Sequence, residues 1–248
     1  MKEVETQYNK WVYPKPITDM KEKIKQGFYY DLHLNVFEKI IFPEGKNYDS
    51  AEIFIAGCGT NQAIYYALSY PNTNIYAIDL SSKTIEHNKK MIKQYNIKNL
   101  FVEQKDIMKV GFKNKYDLVV ASGVIHHTQN PKETLKKLSN TGKENCAMMI
   151  SVYSSYSRVG VYFLQKVFKL LNLNQSKKDI DLVKRFIQST PQRHPIHGFI
   201  QGSKDLEYDS GLVDTFLHKR DIAYDVPELK NLIKESGLYM QSWHDNIH

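Results

Sequence analysis

The 248-residue sequence has only two cysteines, Cys58 and Cys146. Two thiols exclude a disulfide framework and a four-cysteine zinc site. They suit a reducing, cytoplasmic compartment. No apolar run approaches the ~20 residues that span a bilayer, so no membrane partner is expected. The first ten residues are polar and carry Glu3 and Glu5, unlike a secretory or transit peptide. Arginine is scarce as well: 30 Lys stand against four Arg. Nucleic-acid readers lean on Arg, whose planar fork grips phosphates and base edges. The net charge of +7 therefore reads as a compositional Lys bias rather than a nucleic-acid footprint. The four Arg are Arg158, Arg185, Arg193 and Arg220, all beyond residue 150.

What is present is an ordinary globular mixture, 42% hydrophobic and 25% charged, which excludes a disordered chain. The length suits one domain with an elaboration. Residues 1–50 read as an N-terminal lid. Its segment Trp11-Val12-Tyr13-Pro14-Lys15-Pro16 is extended, because residues before proline avoid the helical region. Asp19 caps a helix from Met20, and a second helix near 29–41 stops at Pro43. From Ala51 short apolar runs alternate with helical stretches. The runs are 52–56, 74–78, 100–102, 116–121 and 146–152, and the helices are 62–69, 82–95 and 131–139. Near-continuous apolar strands alternating with helices predict an α/β fold, a mostly parallel sheet with helices on both faces.

This pattern gives four parts: a lid over 1–50, a cofactor-binding core over 51–152, a cap over 153–236, and a last strand over 237–248. Within the cap, 159–173 and 180–187 read as helices and 189–224 as irregular. A helix over 227–236 ends at Gly237, and 238–243 reads as a sixth strand.

In an open parallel sheet, ligands bind beyond the carboxyl ends of the strands. Gly57-Cys58-Gly59-Thr60-Asn61 follows the first strand and opens a helix. Glycines allow a tight turn and close approach, and a helix N-terminus offers free N–H groups. Asp79 ends the second strand, 20 residues after Gly59, a spacing that suits a carboxylate on a ribose diol. Asp106 follows the third strand, where it can meet an exocyclic purine amine. Ser122-Gly123-Val124-Ile125-His126-His127 follows the fourth. Each element alone is common as a turn or a cap; their order points to a nucleoside cofactor. A dinucleotide fingerprint needs Gly or Ala where Gln62 stands, and no Gly-Lys-Ser/Thr phosphate loop is present.

These residues resemble the class I S-adenosylmethionine-dependent methyltransferases over about 50–152. The resemblance implies S-adenosylmethionine as cofactor and a Rossmann-like fold. It implies that Gly57, Cys58 and Gly59, with the adjoining Asn61, line the methionine part and that Asp79 holds the ribose. By the same likeness Leu80 and Ile107 flank adenine, Asp106 meets its amine, and Ser122 lies near the sulfonium. Family members usually carry a further Gly where Asn61 and Gln62 stand. Related enzymes often close the site with an N-terminal segment, which nominates Tyr8, Trp11 and Tyr13, with Tyr29 and Tyr30 as weaker candidates. Packing of that segment on the sheet edge is the alternative. The fold normally ends in a seventh strand, so the sequence reads as truncated or lacking it.

The acceptor is less defined. The Asn/Asp-Pro-Pro-Tyr/Phe turn of amide and adenine methylation, a placed cysteine nucleophile, and a paired-glutamate loop are all missing. The cap carries the arginines with His194, His197, His218, Tyr208, Asp214 and Tyr224. A cavity lined by Arg158, Arg193, His197, His218, Arg220 and Tyr224 would suit an anionic or carboxylate-bearing small molecule, methylated on O, N or S. Internal ion pairs that hold a cap together are the alternative. His194 and His197 make an incomplete metal site, so no metal is expected. His127, with His126 and Tyr153, is the candidate base or orienting group, although a His in such a turn is often structural. Rival readings are methylation of protein or RNA, supported only by the basic charge, a nonenzymatic nucleoside-binding subunit, and a nicotinamide-dependent reductase.

Overall fold

A computed structural model describes residues 2–28, Leu34 and 50–243. The helix expected near 29–41, with Tyr29 and Tyr30, lies outside the described residues. The chain opens with α1 (Lys2–Lys10), an irregular strap, and α2 (Met20–Lys25). Asp19 caps α2 by accepting the Glu22 N–H.

Five strands follow: β1 (Glu52–Ala56), β2 (Asn74–Asp79), β3 (Leu100–Gln104), β4 (Tyr116–Ser122) and β5 (Gly142–Ser151). They form one parallel sheet in the order β3-β2-β1-β4-β5. β5 starts four residues earlier than its apolar run, because a register shift opposite Tyr116/Leu118 accommodates Asn145 at φ 61°. Helices α3 (Gln62–Ser69), α4 (Ser82–Tyr95) and α5 (Pro131–Ser139) connect the strands. Side chains alternate across β1: Ile53 and Ile55 enter one core with α3 and α4, and Phe54 and Ala56 enter the other with α5. Burial on both faces explains why the strands read as unbroken apolar runs.

The cap contains α6 (Val159–Leu170), α7 (Lys177–Ser189), α8 (Ile196–Gly202) and α9 (Asp209–Phe216). The stretch expected to be irregular, 189–224, therefore holds two short helices, α8 and α9. Helices of seven or eight residues are marginal alone. Here Ile196, Leu212, Val213 and Phe216 bury them against Val161, Leu164 and Phe168 in a separate apolar cluster. A Cβ on Gly211 would lie 1.8 Å from the Asp205 carbonyl oxygen, so the chain there is packed backbone to backbone.

The last helix, α10 (Val226–Glu235), starts with a reciprocal capping box between Asp225 and Glu228. The sixth strand expected at 238–243 does not form. Gly237 at φ 76° ends α10, and the Leu238 N–H turns back to the Ile233 carbonyl, so the following residues leave the sheet direction. Tyr239 is 91% exposed. Beyond β5, Ser154 instead bridges Tyr224 in parallel fashion. Among the described residues no helix is long and apolar enough to cross a membrane.

Candidate functional site

The strand order reverses between β1 and β4, the switch point at which open parallel sheets take ligands. The pairings Ala56↔Ile78, Ile55↔Val120 and Ser122↔Ser151 bring Gly57, Asp79 and Ser122 to one level. A cavity of about 920 Å³ opens there. Ordinary ligand sites span ~300–1,000 Å³, so this one has room for a cofactor and a second molecule.

One wall is mostly backbone. Gly57 and Gly59 sit at φ 70° and 54°, where a side chain is strained. A Cβ on Gly57 would also lie 2.3 Å from Val124 Cγ2, so the turns after β1 and β4 can meet only through a glycine. Asp79 organises this wall. Its Oδ2 accepts the Gly59 N–H at 3.0 Å and its Oδ1 accepts the Ser81 N–H at 2.8 Å. Burial raises its carboxyl above the usual range, and the N–H donors of Ser81, Gly59 and Leu80 oppose that rise. The Cys58 thiol is pushed up by burial and stays protonated, which removes it as a nucleophile.

The N-terminal strap closes over this wall. Thr60 Oγ1 donates to the Pro14 carbonyl at 2.7 Å. Asn61 grips the strap twice, accepting the Ile17 N–H and donating to the Lys15 carbonyl. Ser81 Oγ donates to Asn9 Oδ1. The same strap reaches the cap: Tyr13 Oη donates to Asp205 Oδ2 at 2.8 Å, and Gln7 Oε1 accepts from Gln175 and from the Lys219 N–H.

The opposite wall is built from side chains distant in sequence. Asp214 is 2% exposed, and it accepts from Tyr8 Oη at 2.9 Å and from Tyr153 Oη at 3.2 Å. Burial raises all three groups, so both phenols remain donors. The main chain of one residue sets two histidines. The Arg220 N–H donates to His218 Nδ1 at 2.9 Å, so the proton of neutral His218 sits on Nε2. That Nε2–H donates to Tyr8 Oη at 3.1 Å. The Arg220 carbonyl lies 2.7 Å from His127 Nδ1 and can only accept, so His127 carries Nδ1–H, and the lone pair of its neutral form is on Nε2. The two imidazoles stack with centroids 3.9 Å apart. Burial holds His218 well below the usual histidine range.

His127, Asp214 and His218 bring ligand-type atoms within 4.8 Å of one another. A metal needs a lone pair on each ligating nitrogen. On His218 one nitrogen accepts the Arg220 N–H and the other carries a proton, so the trio is bonded as a proton network rather than a ligand set.

A family model described as a methyltransferase domain matches residues 53–208. The chain belongs to the class I S-adenosylmethionine-dependent methyltransferases. An uncharacterized protein from Synechococcus sp. is 22% identical over 241 residues, covering 94% of this chain and 58% of the relative. Ribosomal RNA small subunit methyltransferase G of Prochlorococcus marinus is 30% identical over 103 residues, covering 39% of this chain and 43% of that protein. The methyltransferase thus spans about half the length of the curated relatives it matches. Among solved structures, PKMT2 from Rickettsia typhi in complex with AdoHcy superposes with a TM-score of 0.63 at 18% identity, over 82% of this chain and 42% of that one.

In this methyltransferase Gly57, Cys58, Gly59, Asp79, Leu80, Asp106, Ile107 and Ser122 line the cavity, and Tyr8 faces them. These residues fit S-adenosylmethionine: bare backbone at Gly57 and Gly59 allows close approach, and Asp79 keeps acceptor capacity toward a diol. Trp11 and Asn61 do not line it. Trp11 packs into the cap cluster, and Asn61, where relatives carry glycine, holds the strap. Of the acceptor-side candidates, Tyr13, His127 and Tyr153 line the cavity. His126 does not: it is fully buried, kept neutral by that burial, and its ring lies 3.9 Å from that of Tyr153.

The arginines do not form the expected anion pocket. Arg158 is buried behind Tyr153, its Cζ 3.6 Å from the ring centre, and pairs with Asp221 at 3.7 Å. Arg193 and Arg220 are exposed. His197 Nε2 donates to the Thr190 carbonyl, and Tyr224 bridges Ser154, so both hold the cap. His218 acts on the cavity through Tyr8. The residue that sequence reasoning left unassigned is Asp214. A charged residue between Val213 and Phe216 in a buried helix was its signal, since such a group stays only with partners.

Proposed function

We propose that this methyltransferase passes the methyl group of S-adenosylmethionine to a small-molecule nucleophile held between the strand ends and the cap. The observation that carries the reading is one cavity with two unlike walls. One is a glycine turn with Asp79, suited to a nucleoside; the other is Tyr8, Tyr153, Asp214 and His127, suited to a second reactant. When bound, S-adenosylmethionine supplies a methyl group on a cationic sulfur leaving group.

The chain's own residues do the rest. Asp79 holds the ribose, and Asp106, Leu80 and Ile107 receive the base. The strap, latched by Thr60 and Asn61, keeps water from the cavity. His127 Nε2 accepts a proton from an acceptor that arrives protonated, while the Arg220 carbonyl holds the ring by Nδ1–H. Alignment of two reactants in one cavity provides the larger share of the acceleration.

Isothermal titration with AdoHcy and NAD tests the cofactor: AdoHcy should bind and NAD should not. Absence of AdoHcy binding would refute the reading. With methyl-labelled S-adenosylmethionine and a cell extract, label should enter the small-molecule fraction. Entry into RNA instead, with a steep salt dependence, would replace the acceptor class.

A further inference from the structure

The acceptor side has a charge imbalance that the fold does not resolve. Asp214 is buried, and its two oxygens receive hydrogen bonds from neutral phenols. No lysine or arginine pairs with it among the described residues, and the adjacent His127, whose charge would favour the carboxylate, counts as a cation only when protonated. His218 Nε2 stands 4.0 Å from Oδ1 but belongs to a neutral ring, because Arg220 donates to its other nitrogen. The nearby guanidinium of Arg158 is paired with Asp221. The buried cluster thus holds two carboxylates and one fixed cation. On the sheet side, Lys105 pairs with Glu103 and does not redress the balance. A buried carboxylate with no cation is costly, and a ligand that brings the missing charge removes that cost.

The surroundings of Asp214 select the shape of that charge. Tyr8, Tyr13 and Tyr153 line the same cavity, and the hydroxyls of Tyr8 and Tyr153 are turned into the carboxylate. The Tyr153 ring is already covered by Arg158 and His126, so the rings of Tyr8 and Tyr13 are the ones left to attract an alkylammonium beside the acid, and they offer a carboxylate or phosphate nothing. His127 lines the same space, and the lone pair of its neutral form is on Nε2, because Nδ1–H is held by the Arg220 carbonyl.

We infer that the methyl acceptor is a small amine that binds as its ammonium ion against Asp214, beside the rings of Tyr8 and Tyr13. This rests on the reading of the cavity as a methyl-transfer site. The ammonium N–H donates to Asp214, and one proton passes to His127 Nε2, which leaves a lone pair on nitrogen. The nitrogen then has the nucleophilic form that methyl transfer requires, and the proton resides on the imidazole.

Calorimetry on the full chain saturated with AdoHcy tests this without turnover. The probes are n-butylammonium chloride, n-butanol and sodium butyrate, which share a chain and differ in the head group. The ammonium should bind about 10-fold more tightly than the other two, the effect of a charged hydrogen bond in a dry site. Asp214→Asn should reduce it to the level of butanol while AdoHcy affinity holds. Butyrate or butanol binding as tightly as the ammonium to the unmodified protein would overturn the inference, whether or not the variant folds. So would an Asp214→Asn variant that loses S-adenosylmethionine but keeps AdoHcy and the ammonium preference, because the carboxylate would then answer the sulfonium. Failure of AdoHcy itself to bind would refute the methyl-transfer reading and the inference with it, a distinguishable outcome.

Discussion

The two walls of the cavity are made of different material. On the sheet side, successive strand ends place Gly57, Asp79, Asp106 and Ser122 at one level, and backbone N–H groups do much of the holding. On the cap side, Tyr8, Tyr153, Asp214 and His218 come from segments up to 210 residues apart and hold one another through side chains. The first kind of site follows from topology, and the second from packing. The first should fail one contact at a time, whereas the second should respond as a unit.

The largest expected effect lies on the sheet side. Asp79→Ala should cost ~1–3 kcal/mol of AdoHcy affinity, as charged hydrogen bonds do. An unchanged dissociation constant would mean that the backbone turn alone binds the nucleoside.

Acid should strike the cap side. His126 and His218 are held neutral by burial, so the unfolded chain binds more protons than the native one once pH falls below ~6.5. The stability they contribute is present above that value and is lost as pH falls. Each can account for up to about 2 kcal/mol between pH 7 and 5. Half-buried His87 adds in the same direction. Asp79 and Asp214, raised by burial, act oppositely above ~4. Denaturant titrations at pH 7 and pH 5 measure the net slope, and His126→Phe should flatten it. An unaltered slope would show that the buried ring is not a source of acid sensitivity.

Asn61→Ala removes two hydrogen bonds to the strap and should speed AdoHcy release about 5-fold, at ~1 kcal/mol. Stopped-flow release would reveal it, and no change would show that the strap is held from the cap alone. The smallest effect is expected at Arg193→Ala, an exposed position, where ligand affinity and stability should stay within about 0.5 kcal/mol. A larger loss would return the arginines to the acceptor side.

The contrast between the walls also explains how far the sequence could be read. Gly57, Asp79 and Ser122 were legible because a parallel sheet puts each strand end beside the next, so spacing along the chain becomes position in space. The apolar runs were legible because both faces of the sheet are buried. The cap was not. Its helices form where apolar residues such as Ile196 and Leu212 meet a surface from elsewhere, and their local sequence is full of turn formers. The arginines drew attention as the rare cations of the region, yet what faces the cavity is the acid Asp214, whose partners Tyr8 and Tyr153 lie 206 and 61 residues away. The strand expected at 238–243 had the right composition, but Gly237 directs the chain away.

The main chain of Arg220 donates to one histidine through its N–H and accepts from another through its carbonyl, without its guanidinium. Its control over the protonation pattern is thus invisible to an alanine scan, since alanine carries the same amide. Only loss of the N–H itself would disturb it. Arg220→Pro, or an ester in place of that amide, would free His218 to move its proton to Nδ1 and turn a lone pair toward Tyr8. The hydroxyls around Asp214 would then have to reorient. A residue with an exposed side chain can therefore occupy a position whose main chain dictates where two protons sit.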